Sequence, residues 1–126
     1  MDAYKSDIEK ETLENTDYRR VLFTDKQMQL VVMSLKPGEE IPEEIHDDIN
    51  QFFRVEKGQA LAIVGENEFN LEDDDVLIVP CGEKHYVKNT SESEDLKIYT
   101  IYSPPEHPEG TVHVTKAEAD AAEHEH

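Results

Sequence analysis

Short runs rich in β-branched and aromatic residues begin at Tyr18 and recur as far as Tyr102. They read YRRVLFT, QMQLVVMSL, QFFRVE, QALAIV, EFNL, VLIVP, HYVK and LKIYTIY. Turn signals separate them: Thr24-Asp25, Pro37-Gly38, Lys57-Gly58, Gly65-Glu66-Asn67, the acidic run Glu72 to Asp75, Pro80-Cys81-Gly82 and Asn89-Thr90-Ser91. About eight short strands at this spacing, with no long helical period, predict an all-β sandwich or barrel. A parallel sheet would need crossover helices, and the gaps leave no room for them.

The ends of the chain behave differently. Residues 1–17 are polar, and beyond the first methionine only Ala3, Tyr4, Ile8 and Leu13 are apolar. Ile8 and Leu13 make a poor helical stripe, so this segment reads as a flexible N-terminal arm, mobile or loosely docked. Residues 18–116 form the expected barrel domain. Its last part opens with SPPEHPEG, whose prolines and glycine oppose regular structure. Thr115, with Glu118 three residues on, has capping-box spacing for a short helix leading into an acidic C-terminal tail over 117–126.

Composition narrows the partners. Ile, Leu, Val and Phe total 30 of 126 residues, enough for a compact core. The formal net charge is −18, which leaves no basic footprint for nucleic acid and disfavours anionic membrane surfaces. No apolar run approaches the ~20 residues of a membrane span. The single cysteine, Cys81, cannot form an intrachain disulfide, and the N-terminus carries no secretory pattern, so a cytoplasmic protein is expected. Cys81 itself reads as a packed small residue of a turn.

His46 and His85 are the two histidines inside the strand-rich region. Glu44 and His46 are two apart and share one face of a strand. Gln51, Phe53 and Val55 share the inward face of the next strand, with Arg54 and Glu56 outward. Two imidazoles and one carboxylate suit Zn, Fe, Mn, Ni or Cu, and a glutamine would add a neutral carbonyl oxygen. The plainer alternative is a polar, hydrogen-bonded core. His107 and His113 sit in the Pro/Gly-rich segment and could cover a barrel mouth; His124 and His126 belong to the tail.

Two spaced motifs organise these residues. The first is Gly38, five residues, Glu44-Ile45-His46, four residues, Gln51, six residues, Gly58; the second is Asp74, five residues, Pro80-Cys81-Gly82, two residues, His85, three residues, Asn89. In this spacing the chain resembles the cupin superfamily. Cupins have histidine at the Glu44 position, glutamate at Gln51 and glycine at Asp74; the last change suggests a different turn. The resemblance implies a double-stranded β-helix, a jelly-roll barrel, holding one divalent metal in its lumen. Carried over residue by residue, the metal ligands are Glu44, His46, Gln51 and His85.

The run EIHDDINQFFRVEKGQA, with IYTIYSPPEHPEGTVH, resembles small cupins described as mannose-6-phosphate isomerase-like. The resemblance implies metal-assisted work on a sugar or another small polar molecule. A metal-dependent dioxygenase and a non-catalytic small-ligand or metal-binding module are the alternatives. The motif region offers Arg54, Lys57, Lys84 and Lys88, with Arg54 and Lys88 outward by parity, against six acids between Glu39 and Asp48. That field suits a neutral ligand better than a phosphate. Small cupins often pair through an outer sheet, so a homodimer is expected, with Phe52, Tyr99 and Ile101 facing outward.

Overall fold

The computed structural model describes residues 2–124. The tail residues Glu125 and His126 lie outside them. Among the described residues, ten strands and two helices follow in the order α1 (Ile8–Glu14), β1 (Arg19–Thr24), β2 (Gln29–Leu35), β3 (Glu40–Glu44), β4 (Asn50–Lys57), β5 (Ala60–Val64), β6 (Asn67–Leu71), β7 (Val76–Val79), β8 (His85–Asn89), β9 (Leu96–Ser103), β10 (Val112–His113) and α2 (Lys116–His124). Neither helix is long and apolar enough to cross a membrane.

The strands form two antiparallel sheets, ordered β10-β1-β2-β9-β4-β7 and β3-β8-β5-β6. Their inner faces meet in one core, so the architecture is the all-β jelly roll expected from the strand pattern. Period-2 alternation decides which residues enter it. In β4, Gln51, Phe53 and Val55 are buried between partly exposed neighbours; in β9 the buried row is Leu96, Ile98, Thr100 and Tyr102.

β2 departs from alternation, being buried on both faces along most of its length. Val31, Met33 and Leu35 belong to the core cluster. Val32 and Ser34 point to the opposite face, and they are buried because α1 packs there against β2, β9 and β4. Thus part of the N-terminal segment read as a flexible arm forms a docked helix. Its buried residue is the polar Thr12, whose hydroxyl bonds back to the Ile8 carbonyl at 2.7 Å. The Lys97 ammonium fastens the helix end, donating to Asn15 O at 2.6 Å and Ser34 Oγ at 2.9 Å.

The pattern also missed β3 and β10. β3 reads EIPEE, poor in strand formers, and sits at a sheet edge where Pro42 is tolerated. Two residues of the Pro-rich segment, Val112 and His113, pair with Arg20 and Arg19. Asp74 has φ of 73°, the left-handed conformation a glycine would favour. The turn suited to the motif glycine is therefore kept with an aspartate, not replaced. Gly58 (φ 120°) meets a tight approach instead: an added Cβ would lie 3.1 Å from Asp95 O and Leu96 Cα.

Candidate metal centre

Glu44 ends β3 and pairs across the sheet with His85, the first residue of β8. His46 lies in the loop after β3, and its carbonyl accepts from Gly82 N at 2.8 Å. That bond ties the two motif loops together and brings their histidines side by side, with tilted rings whose centroids are 5.3 Å apart. His46 Nε2 lies 3.0 Å and His85 Nε2 3.9 Å from Glu44 Oε2. Metal-ligating atoms of Glu44, His46 and His85 all fall within 4.8 Å of one another, a cluster compatible with a metal ion.

Gln51 is buried in the lumen wall on the inward row of β4. Its amide nitrogen donates to Thr100 Oγ1 at 3.0 Å, and its side chain also bonds Tyr102. The Tyr102 ring in turn stands edge-on to His46 at 6.1 Å. Two buried atoms here have no hydrogen-bond partner: His85 Nε2 and Gln51 Oε1. Gln51 Oε1 presents lone pairs, and His85 Nε2 presents one in the tautomer whose Nδ1–H donates to Glu83 O, 3.4 Å away. Orphaned buried acceptors cost free energy, and a cation is the partner such atoms would take. The residues present therefore fit a divalent metal.

The second ring nitrogens are also engaged. His46 Nδ1 lies 3.4 Å from Glu106 Oε2, and His85 Nδ1 faces the Glu83 carbonyl. This is the outer arrangement that orients metal-binding imidazoles. Glu44 holds the His46 pKa above its usual value, against burial. Burial works to raise Glu44, but the hydrogen bond and charge of His46 outweigh it and leave the carboxyl low. His85 is lowered by burial. α2 brings Glu123 beside Glu44, and burial and the Glu44 charge raise the Glu123 pKa above the usual carboxylate value.

Other expectations fare unevenly. Asp47 and Asp48 are exposed, and so is Cys81, which is not packed. Arg54 points outward to Asp74 at 3.0 Å. His107 is partly buried beside Tyr102, with Nε2 3.3 Å from the phenol oxygen. Gln29, fully buried, holds this segment over the barrel end: it donates to His107 O at 2.7 Å and accepts from His107 N at 3.0 Å. Arg19 was missed. It shares the inward parity of Val21 in YRRVLFT but lies outside both motifs. Its side chain is 2% exposed.

Known proteins agree with this architecture. The protein L612 of Acanthamoeba polyphaga mimivirus is 43% identical over 120 residues, covering 93% of this chain and 75% of its own length. YrkC of Bacillus subtilis (strain 168) is 43% identical over 122 residues, covering 92% of this chain; this chain spans only 65% of YrkC. The crystal structure of BH2720 from Bacillus halodurans superposes with a TM-score of 0.91 at 42% identity, covering 94% of this chain and 93% of that one. The family described as Cupin domain matches residues 31–102. That match takes in more than half of the chain and runs from β2 to β9, so this protein belongs to the cupin family.

Proposed function

We propose that the protein is a metal-binding cupin that acts on a small polar molecule at one divalent ion held by Glu44, His46, Gln51 and His85. The observation that carries this reading is the pair of orphaned lone pairs, His85 Nε2 and Gln51 Oε1, in a lumen that also holds the Glu44/His46/His85 cluster. Bound there, the ion supplies Lewis acidity that polarises a carbonyl or hydroxyl oxygen. The chain's own groups do the rest. Glu106 and the Glu83 carbonyl orient the two imidazoles. Burial raises the Tyr102 pKa well above its usual value, so its phenol stays protonated. The isomerase-like reading is supported by the resemblance in the motif runs; a sugar and a hydroxy acid both offer the oxygen donors such a site takes.

Elemental analysis of protein purified without added metal tests the reading. One equivalent of Zn or Mn supports isomerase-type chemistry, and one equivalent of Fe, Ni or Cu favours oxygen chemistry. Protein that neither carries nor takes up a divalent metal overturns the metal reading in favour of a non-catalytic module.

We also read the part of the larger sheet's outer face that α1 leaves open, on the β7 side, as a homodimer surface. Ile78 (62% exposed) and Val76 (47%) point outward from β7. Phe52, paired in register with both Ile78 and Ile101 and in ring contact with Tyr99, extends the same apolar face. Sedimentation at micromolar concentration should give twice 14.5 kDa, and Ile78→Glu should give the monomer; a wild-type monomer counts against it.

A further inference from the structure

A buried guanidinium normally faces a carboxylate, because an unpaired charge is expensive to keep out of water. Arg19 feels the charges of Glu44 and Glu123 through space but makes no direct ion pair with either among the described residues. Its Cζ lies 5.5 Å from the Tyr18 ring centroid, and its Nη1 meets His113 Nδ1 at 3.2 Å. Arginine has no lone pair, so His113 accepts and is neutral. Arg19 Nε is buried with no acceptor, and among the described residues no carboxylate stands at ion-pair distance from this side chain. Among the described residues, the Nε edge of the fork is left without an acceptor.

That side chain lines a cavity of about 510 Å³ together with Glu106, His107, Thr111, His113 and Glu123. The cavity adjoins the candidate metal centre through two of its walls: Glu106 reaches His46 Nδ1 at 3.4 Å, and Glu123 stands beside Glu44. We infer that the cavity binds the carboxylate of a small organic acid on the Nε/Nη2 edge of Arg19, with the rest of the molecule directed toward Glu44, His46 and His85. A planar monoanion matches one guanidinium fork. A phosphate dianion does not, since Glu106 and Glu123 line the same cavity and would repel its second charge. Capture of the anion stands on Arg19 alone; its orientation toward the centre rests on the metal reading above.

The test is a chemical-shift titration of 15N-labelled full chain at pH 7 and constant ionic strength. The probes are sodium pyruvate, its neutral amide pyruvamide and inorganic phosphate. Pyruvate should shift amides of β1 and residues 106–113 saturably, and pyruvamide and phosphate should bind more weakly. Arg19→Gln should weaken pyruvate about tenfold or more, the usual worth of a hydrogen bond to a charged group, while metal content stays at the wild-type level. Should Arg19→Gln lose its dispersed spectrum, Arg19→Lys is read instead, since it keeps the charge and loses the fork; weakened pyruvate binding supports the site. No saturable shift, equal binding of pyruvamide, tighter phosphate, unchanged pyruvate affinity in the folded variant, or joint loss of metal and pyruvate overturns it. Wild type that binds pyruvate through Arg19 but takes up no metal would sink the metal reading and keep the anion site.

Discussion

Along β9 the inward side chains are Leu96 and Ile98 at one end, Thr100 and Tyr102 at the other. Its neighbours change character at the same level. On β2, Leu35 and Met33 face Leu96 and Ile98, whereas Gln29 faces Tyr102. On β4, Val55 faces Ile98 and Gln51 faces Tyr102. The barrel is thus an apolar plug at one end and a polar lumen at the other, built from one set of strands. The buried polar groups differ too. Asn89, at the apolar end, is satisfied, donating to Leu35 O at 3.0 Å and Glu94 O at 2.9 Å. His85 Nε2, Gln51 Oε1 and Arg19 Nε, at the other end, are orphaned. Among the described residues only one other buried side-chain atom lacks a hydrogen-bond partner, Arg54 Nε on the outward side of β4, so the open groups that face the lumen gather at one end and mark it as the end that binds.

The sharpest way to break this contrast is to truncate in both halves. Leu35→Ala removes a fully buried side chain from the apolar end and should cost about 2–5 kcal/mol in denaturant unfolding. His85→Ala should instead abolish stoichiometric metal uptake while circular dichroism shows the sheet intact; loss of folding at both sites would erase the distinction. Within the polar half, Glu44→Gln should weaken metal affinity more than Gln51→Ala, because it removes the only anionic ligand proposed. Gln51→Ala should cost about tenfold, at the low end of the range for perturbing a metal's surroundings. Calorimetric titration ranks the two, and the reverse order would mean that Glu44 is not a ligand.

The smallest expected effect is a pH dependence. Burial, aided by Arg19, pushes His107 down to about 3, so it is neutral in the fold over the working range. The unfolded chain, with the ordinary value of 6.5, binds the proton first as pH falls. Stability from this group is whole above pH 6.5 and declines below it. Relative to His107→Gln, wild type should lose about 1 kcal/mol between pH 7 and 5.5 in urea unfolding. Parallel curves would show that His107 is solvated.

The sequence was legible where the signal was periodic. Alternation in QFFRVE and LKIYTIY is enough to place Gln51 inward and Arg54 outward, because one face of each strand is apolar. The motif positions Glu44, His46 and His85 meet because β3 and the loop that follows it lie beside β8. What stayed hidden depended on contacts that no local pattern reports. α1 buries Thr12 rather than an apolar stripe, so its docking left no helical period. β3 is an acidic edge strand, and Asp74 occupies a glycine's conformation. Arg19 lies in a run read as ordinary strand; its parity with Val21 was the available clue, and only the cavity above it gives that parity chemical meaning.

The most direct test of the central claim is an anomalous-difference map from crystals of the metal-loaded protein, recorded at the absorption edge of the bound ion. The account predicts one peak in the lumen, about 2.0–2.2 Å from His46 Nε2, His85 Nε2 and a Glu44 oxygen if the ion is zinc, with Gln51 Oε1 completing the set. A peak only at the tail histidines or on the exposed acidic loops, or a lumen without one, would contradict it.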